Sequence, residues 1–242
     1  MHLIFESVKK IFNRSMNNIK LCIFDLDGVI VDTAKFHFLA WKELAKDFGF
    51  DLNKKDNEKL KGVSRVESLK LILKWAGVMK NEDEQKILTD RKNEHYVKLI
   101  QSLKPDDVFP GVLDFISELK QNHIKCSIGS ASKNTALILE KLQITNLFDY
   151  VVDGNMTTNS KPHPEVFLKS CEALDINPKD TVVFEDAAKG IDAAIAGGMY
   201  AIGIGNEDEL SHADIVIPGL ENFHLKDLSR LNNKTDYQNK LN

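Results

Sequence analysis

The chain has 242 residues, 43% hydrophobic and 28% charged, and its 32 Lys and Arg face 36 Asp and Glu for a net charge of −4. That length suits one large domain or a core with a smaller companion, and it buries a hydrophobic centre without disulfide or metal staples. The charge balance excludes a protein whose main affinity is for nucleic acid, and the 13 Gly and 6 Pro exclude collagen-like or long disordered chains.

Residues 1–18 mix short apolar pieces with Lys9, Lys10 and Arg14, lack the compact apolar block of a secretory signal, and carry no assignment. From Ile19 the pattern becomes regular. Lys20–Phe24 is a short apolar run stopped by Asp25, as a buried parallel strand is. From Thr33 to Lys104 only helical periodicity follows: Thr33, His37, Trp41, Leu44 and Phe48 share one stripe, and Ser68–Trp75 and Glu82–Leu103 read as further helices. Beyond it, strand-like runs at Ile124–Ile128, Tyr150–Val152, Thr181–Phe184, Tyr200–Ile204 and Asp214–Ile217 alternate with helical stretches. Those are Val112–Gln121, Asn134–Leu142, Pro164–Leu174 and Ala187–Ala196. Such alternation predicts an α/β fold, a parallel sheet with helices on both faces. The expected division is a core of 19–32 and 105–231, a helical cap inserted at 33–104, and a polar tail at 232–242.

Cys22, Cys126 and Cys171 lie far apart in apolar stretches, without zinc spacing, and predict three reduced thiols in a cytoplasmic protein. No apolar run approaches the roughly 18 residues of a membrane span, and a monomer is expected. Gly203-Ile204-Gly205 lacks the rest of a dinucleotide fingerprint, and no P-loop string occurs.

In open α/β sheets, sites form outside the carboxyl ends of strands. Four polar strings sit at such ends here. Asp25-Leu26-Asp27-Gly28 puts two carboxylates on one side of an extended segment, and Ser130-Ala131-Ser132 offers a hydroxyl and backbone N–H groups. Ser160-Lys161-Pro162 supplies a cation, and Glu185-Asp186 a second acidic pair. Taken singly, each has a plainer explanation: a turn, a helix cap, a solvated lysine, a helix start. Taken together, the acidic pairs make a hard-oxygen site for Mg²⁺ and the hydroxyl and lysine an anion cradle, which specifies phosphoryl transfer.

These strings, in this order, resemble the four motifs of the haloacid-dehalogenase superfamily of phosphotransferases across Ile19 to Leu231. The β-phosphoglucomutase family within it is matched by Phe24–Ile30, Asp32–Ala34, Phe36-His37, Ala40-Trp41, Leu60–Arg65, Arg91–Asn93, Ser130–Asn134 and Gly190-Ile191. The resemblance implies a Rossmann-like core under a helical cap. It makes Asp25 the nucleophile and Asp27 the general acid and base, with Ser130 and Lys161 holding the transferring phosphoryl group. Mg²⁺ would rest on Asp25, Glu185, Asp186 and the carbonyl of Asp27. Arg65 would grip the second phosphate of a sugar bisphosphate, with Lys61, Gly62, Val63 and Ser64 in its loop and Ser68, Lys92 and Asn93 in support. Ala131, Ser132 and Asn134 would line the substrate side of the core, and Trp41 would pack on the sugar unless it is plain core. His37 would couple cap closure to Asp27, with Thr33 at the hinge. The implied activity interconverts β-D-glucose 1-phosphate and glucose 6-phosphate. The rivals are a sugar-phosphate phosphatase of the same fold and a silent sugar-phosphate sensor.

Overall fold

The computed structural model describes residues 19–60 and 63–231. The expectations for 1–18, 232–242, Lys61 and Gly62 lie outside the described residues.

Strand β1 (Leu21–Phe24) opens the sheet, and every side chain in it is buried. The helical interval follows as α1 (Ala34–Lys46), α2 (Lys54–Glu58), α3 (Arg65–Ala76) and α4 (Glu82–Ile100). Their starts are written in the sequence. Asn53 accepts from Asp56 N–H, Ser64 from Glu67 N–H, and Asn81 with Glu84 closes a reciprocal capping box. Helix α3 therefore begins three residues before its apolar stretch, at Arg65, and ends at Gly77, whose φ of 69° is left-handed. Helix α2 was not anticipated, because Lys-Lys-Asp-Asn-Glu has no apolar face and buries nothing.

The rest alternates as expected: α5 (Val112–Gln121), β2 (Lys125–Gly129), α6 (Thr135–Lys141), β3 (Tyr150–Val152), α7 (Glu165–Ala173), β4 (Thr181–Glu185), α8 (Ala188–Ala196), β5 (Tyr200–Ile204) and β6 (Ile215–Ile217), with a short further helix α9 (Glu207–Leu210) before β6 that the sequence did not announce. The six strands pair in parallel in the order β3-β2-β1-β4-β5-β6. Val112, Phe115, Ile116 and Leu119 of α5 pack with Ile138 and Leu139 of α6 on one face. Val166, Phe167 and Cys171 of α7 and Ile191, Ala193 and Ala194 of α8 cover the other. Each fully buried Val, Leu, Ile or Phe side chain among these contributes about 1.5–3 kcal/mol. The three cysteines are buried and free.

A separate apolar cluster, Trp41, Leu44, Ala45, Leu52, Leu60, Leu69, Ile72 and Leu73, holds α1 and α3 together. The inserted helices also touch the sheet side, since Ala40, Tyr96, Ile100 and Leu103 join the first-face cluster. The chain leaves and re-enters the core at one place, where Val31 bridges Val108 and Phe109 N–H donates to Ile30 O at 2.9 Å. No described helix is long and apolar enough to cross a membrane.

Candidate active site

The parallel register levels the carboxyl ends of the three central strands, with Phe24 opposite both Ile128 and Phe184. Asp25 follows β1, its N–H donating to Phe184 O at 2.9 Å. Ser130 follows β2, its N–H donating to Val152 O at 3.0 Å, and Glu185 is the last residue of β4. Lys161 departs from the strand-end expectation: it arrives from the irregular stretch 153–164 between β3 and α7, ahead of a cis proline. Its ammonium donates to Asp25 Oδ1 at 2.5 Å and Glu185 Oε2 at 2.8 Å, and stands 4.8 Å from the Phe167 ring centre. Asp25 Oδ2 in turn accepts the Asp27 N–H at 2.9 Å.

Carboxylate oxygens of Asp25, Glu185 and Asp186 lie within 4.8 Å of one another. Two glycines permit this crowding. A Cβ on Gly28, at φ 87°, would stand 2.1 Å from Asp186 Oδ2, and one on Gly190 would stand 2.0 Å from Glu185 Cδ. The charges are out of balance, and the protons show it. Burial, then Asp25 and Asp186, pushes the Asp27 carboxyl up to about 8. Burial and Asp25 likewise hold Glu185 well above the ordinary carboxylate range. Burial alone would lower the Lys161 ammonium, but Asp25 and Glu185 outweigh it and keep it firmly protonated. Hard oxygen donors with more negative charge than one lysine neutralises fit a divalent cation.

The inserted helices present a second polar group towards Asp27. Lys92, on α4 and 2% exposed, places its Nζ 2.7 Å from His37 Nδ1 on α1. That ammonium also stands over the rings of Trp41, at 4.8 Å, and Tyr96, at 4.7 Å. His37 stacks on Tyr96 with ring centres 4.0 Å apart. Burial, Lys92 and Arg65 together hold the His37 imidazole neutral, and burial with Arg65 lowers Lys92 to about 7. Among the described residues, Asp27 Oδ1 is buried without a hydrogen-bond partner, and Thr33 Oγ1 and the Tyr96 hydroxyl have none beyond their interaction with each other. Buried polar atoms rarely stay unpaired except where a ligand completes them.

Residues 22–204 match the family model described as haloacid dehalogenase-like hydrolase. The chain belongs to that family. It is 41% identical to β-phosphoglucomutase of Bacillus subtilis over 201 residues, 82% of this chain and 88% of that protein. It is 30% identical to the fructose-1-phosphate phosphatase YqaB of Escherichia coli, over 75% of this chain and 94% of that one. The crystal structure of β-phosphoglucomutase from Clostridium difficile superposes with a TM-score of 0.85 at 38% identity, covering 90% of this chain and 99% of that chain.

Within this haloacid dehalogenase-like frame most of the expected residues gather at the two facing groups. Ser130 is buried, and its Oγ accepts the Ser132 N–H at 3.0 Å, while Ser132 Oγ accepts the Asn134 N–H at 3.2 Å. Asn134 Nδ2 then donates to Asn93 Oδ1 at 2.9 Å, joining the core loop to α4. Ala131 is exposed beside them. Half-buried Arg65 opens α3, next to Val63 and Ser64, and Ser64 spends its hydroxyl on capping that helix. Ser68 is buried one turn on. Trp41 is buried in the apolar cluster of α1 and α3, and the face of its ring is turned to Lys92. Arg91 is instead paired with Asp47 on the outer surface. The carboxylate cluster contains the side chains of Asp25, Glu185 and Asp186; the expectation for Asp27 concerned its carbonyl. Sequence reasoning missed Tyr96, whose place one turn beyond Lys92 on α4 was the available signal.

Lys92 makes stability depend on pH. Its proton is lost near 7 in the folded chain and at 10.5, the ordinary lysine value, in the unfolded one. Between those values the unfolded chain binds more protons, so stability rises with pH. The stability difference between the native chain and Lys92→Met should move by roughly 2–4 kcal/mol in the native chain's favour from pH 6 to pH 9.5. Urea unfolding at both pH values measures it, and parallel profiles would refute a strained ammonium at this place.

Proposed function

We propose that the protein is a β-phosphoglucomutase that interconverts β-D-glucose 1-phosphate and glucose 6-phosphate through an aspartyl-phosphate and β-glucose 1,6-bisphosphate. The observation that carries this reading is the second cationic group. Lys92 on α4 acts on Asp27 opposite the Lys161 cluster, and Arg65 on α3 stands within electrostatic reach of Lys92 and His37. A substrate with one phosphate to transfer and another to be held needs both grips. The similarity to the mutase of Bacillus subtilis supports the same reading.

In this reading residues 33–104 act as the cap over a core of 19–32 and 105–231. Asp25 attacks phosphorus with an oxygen oriented by the Asp27 N–H. Lys161 and Ser130 hold the phosphoryl oxygens, where placement and charge do most of the work. Asp27, whose buried carboxyl keeps its proton near neutrality, protonates the leaving sugar oxygen and later takes the proton from the incoming hydroxyl. Asp25, Glu185, Asp186 and the Asp27 carbonyl would hold Mg²⁺, which offsets the repulsion between an anionic nucleophile and an anionic phosphate. Arg65 matches the distal phosphate with its planar fork, and Lys92 beside it serves the same anion. Asp27 Oδ1 and the Thr33–Tyr96 hydroxyl pair, with no other partners among the described residues, are natural partners for sugar hydroxyls or the distal phosphate.

A phosphatase of the same family is the second reading, supported by the similarity to the Escherichia coli fructose-1-phosphate phosphatase. The two share the core, so a coupled assay decides. With Mg²⁺, β-glucose 1-phosphate and a trace of bisphosphate, the mutase reading requires glucose 6-phosphate to form much faster than inorganic phosphate. Predominant phosphate release would establish the phosphatase instead. Arg65→Ala should lower mutase turnover about 10- to 100-fold while sparing self-phosphorylation by acetyl phosphate, which has no distal phosphate. Equal losses in both reactions would remove Arg65 from the distal grip.

A further inference from the structure

The residue that clamps the phosphate in this reading is delivered by a loop with neither helix nor strand of its own. Residues 153–164 run irregularly from β3 to α7. The first residue of α7 holds the part of the stretch just before Lys161. Glu165 Oε1 accepts the Thr158 N–H at 3.0 Å, and its Oε2 accepts both the Asn159 N–H at 2.8 Å and Asn159 Nδ2 at 3.0 Å. The Glu165 N–H donates to His163 Nδ1 at 3.2 Å, and the His163 N–H donates back across the turn to Ser160 O at 3.0 Å. The Glu165 carboxylate therefore ties the backbone just before Lys161, while the Glu165 backbone N–H holds the His163 ring after it. Two positions further along the helix, Phe167 sets its buried ring against the ammonium. The backbone donors of Thr158 and Asn159 keep the Glu165 carboxyl down to about 2, so it is an acceptor at any working pH.

We propose that Glu165 is a positioning residue for phosphoryl transfer: by fixing the backbone just before Lys161, its carboxylate aims the ammonium between Asp25 and Glu185. This rests on the reading of Lys161 as the phosphate clamp. Glu165 touches none of the reacting groups and acts only through the lysine. Lysine is a point charge on a long flexible stem, so its aim depends on where its Cα is held. A displacement of about 1 Å in a catalytic group costs as much as 10²-fold in rate. Glu165 is thus distinguished from an ordinary loop staple by coupling: removing it should matter only while Lys161 is there to be aimed.

A double-mutant cycle on the full chain tests this, with Mg²⁺ and acetyl phosphate as donor and single-turnover phosphorylation of Asp25 as readout. Glu165→Ala should slow phosphorylation about 10- to 100-fold in the native background and less than two-fold in Lys161→Ala. The same factor in both backgrounds would overturn the proposal, because a merely structural loss is indifferent to the lysine. Should Glu165→Ala not fold, Glu165→Gln, which retains one acceptor oxygen, carries the same comparison. The Lys161 ¹⁵Nζ resonance gives a second readout independent of turnover. It should move towards that of an exposed lysine in the Glu165 variant, and an unmoved resonance would also overturn the proposal. A native chain that accepts no phosphoryl group from acetyl phosphate would instead defeat the functional reading, leaving the resonance to decide the role of Glu165.

Discussion

Asp25→Asn should abolish both isomerisation and phosphate release, by a factor on the order of 10⁴ or more. The substitution keeps the side chain's shape and an oxygen for the Asp27 N–H, so the fold and the loop after β1 are retained. It removes the anionic nucleophile and one of the two carboxylates that hold the Lys161 ammonium. Denatured protein from a reaction with labelled phosphate donor should carry acid-stable, hydroxylamine-labile phosphate in the native chain and none in the variant. Turnover surviving in Asp25→Asn would mean that phosphorus is attacked by something other than this residue. The reading would then have to be abandoned at its first step.

Asp27→Asn should separate transfer to and from a sugar oxygen from phosphorylation by acetyl phosphate. An amide neither gives nor takes a proton in the needed range, so transfer to and from a sugar oxygen should fall about 10²- to 10⁴-fold. Acetyl phosphate has a leaving group that departs without protonation, so it should still phosphorylate Asp25. The phosphoenzyme should then accumulate and persist. Mass spectrometry of the intact chain after brief exposure to acetyl phosphate shows this directly as a stable phosphorylated species. Equal loss with both donors would place Asp27 in binding, not in proton transfer.

The core was legible because its physics is local. Leu21–Phe24 is uniformly apolar and stops at Asp25, and a strand buried on both faces has no other way to look. The acidic pairs were legible for the same reason: each sits where an apolar run ends. The capped insert was harder. Ser64 and Asn81 announce the starts of α3 and α4, yet α2 has no apolar face by which to be seen. Tyr96 reads as one more aromatic on an amphipathic helix until folding lays it against His37. Trp41 could not be assigned from its helical stripe alone, because a buried indole packs in an apolar cluster and still offers a ring face to a lysine such as Lys92. Glu165 was invisible for a further reason. Its partners at 158 and 159 lie in a loop whose path no periodicity encodes, and a glutamate at a helix start already has a sufficient local explanation.

The meeting of Val31 and Val108 has a thermodynamic corollary. Seen from the sheet, everything between these two residues is one closed loop, pinned by their bridge and by the Phe109 N–H on Ile30 O. The entropy of closing such a loop grows only with the logarithm of its length, so doubling it would cost about 0.6 kcal/mol. Size and shape of the insert are therefore nearly free variables as far as the sheet is concerned, save for the few side chains, such as Tyr96 and Ile100, that pack back onto it. A single scaffold can in this way carry inserts of different extent while the positions at the ends of β1, β2 and β4 keep their spacing. The extent of the insert and the stability of the sheet become quantities that a designer can change one at a time.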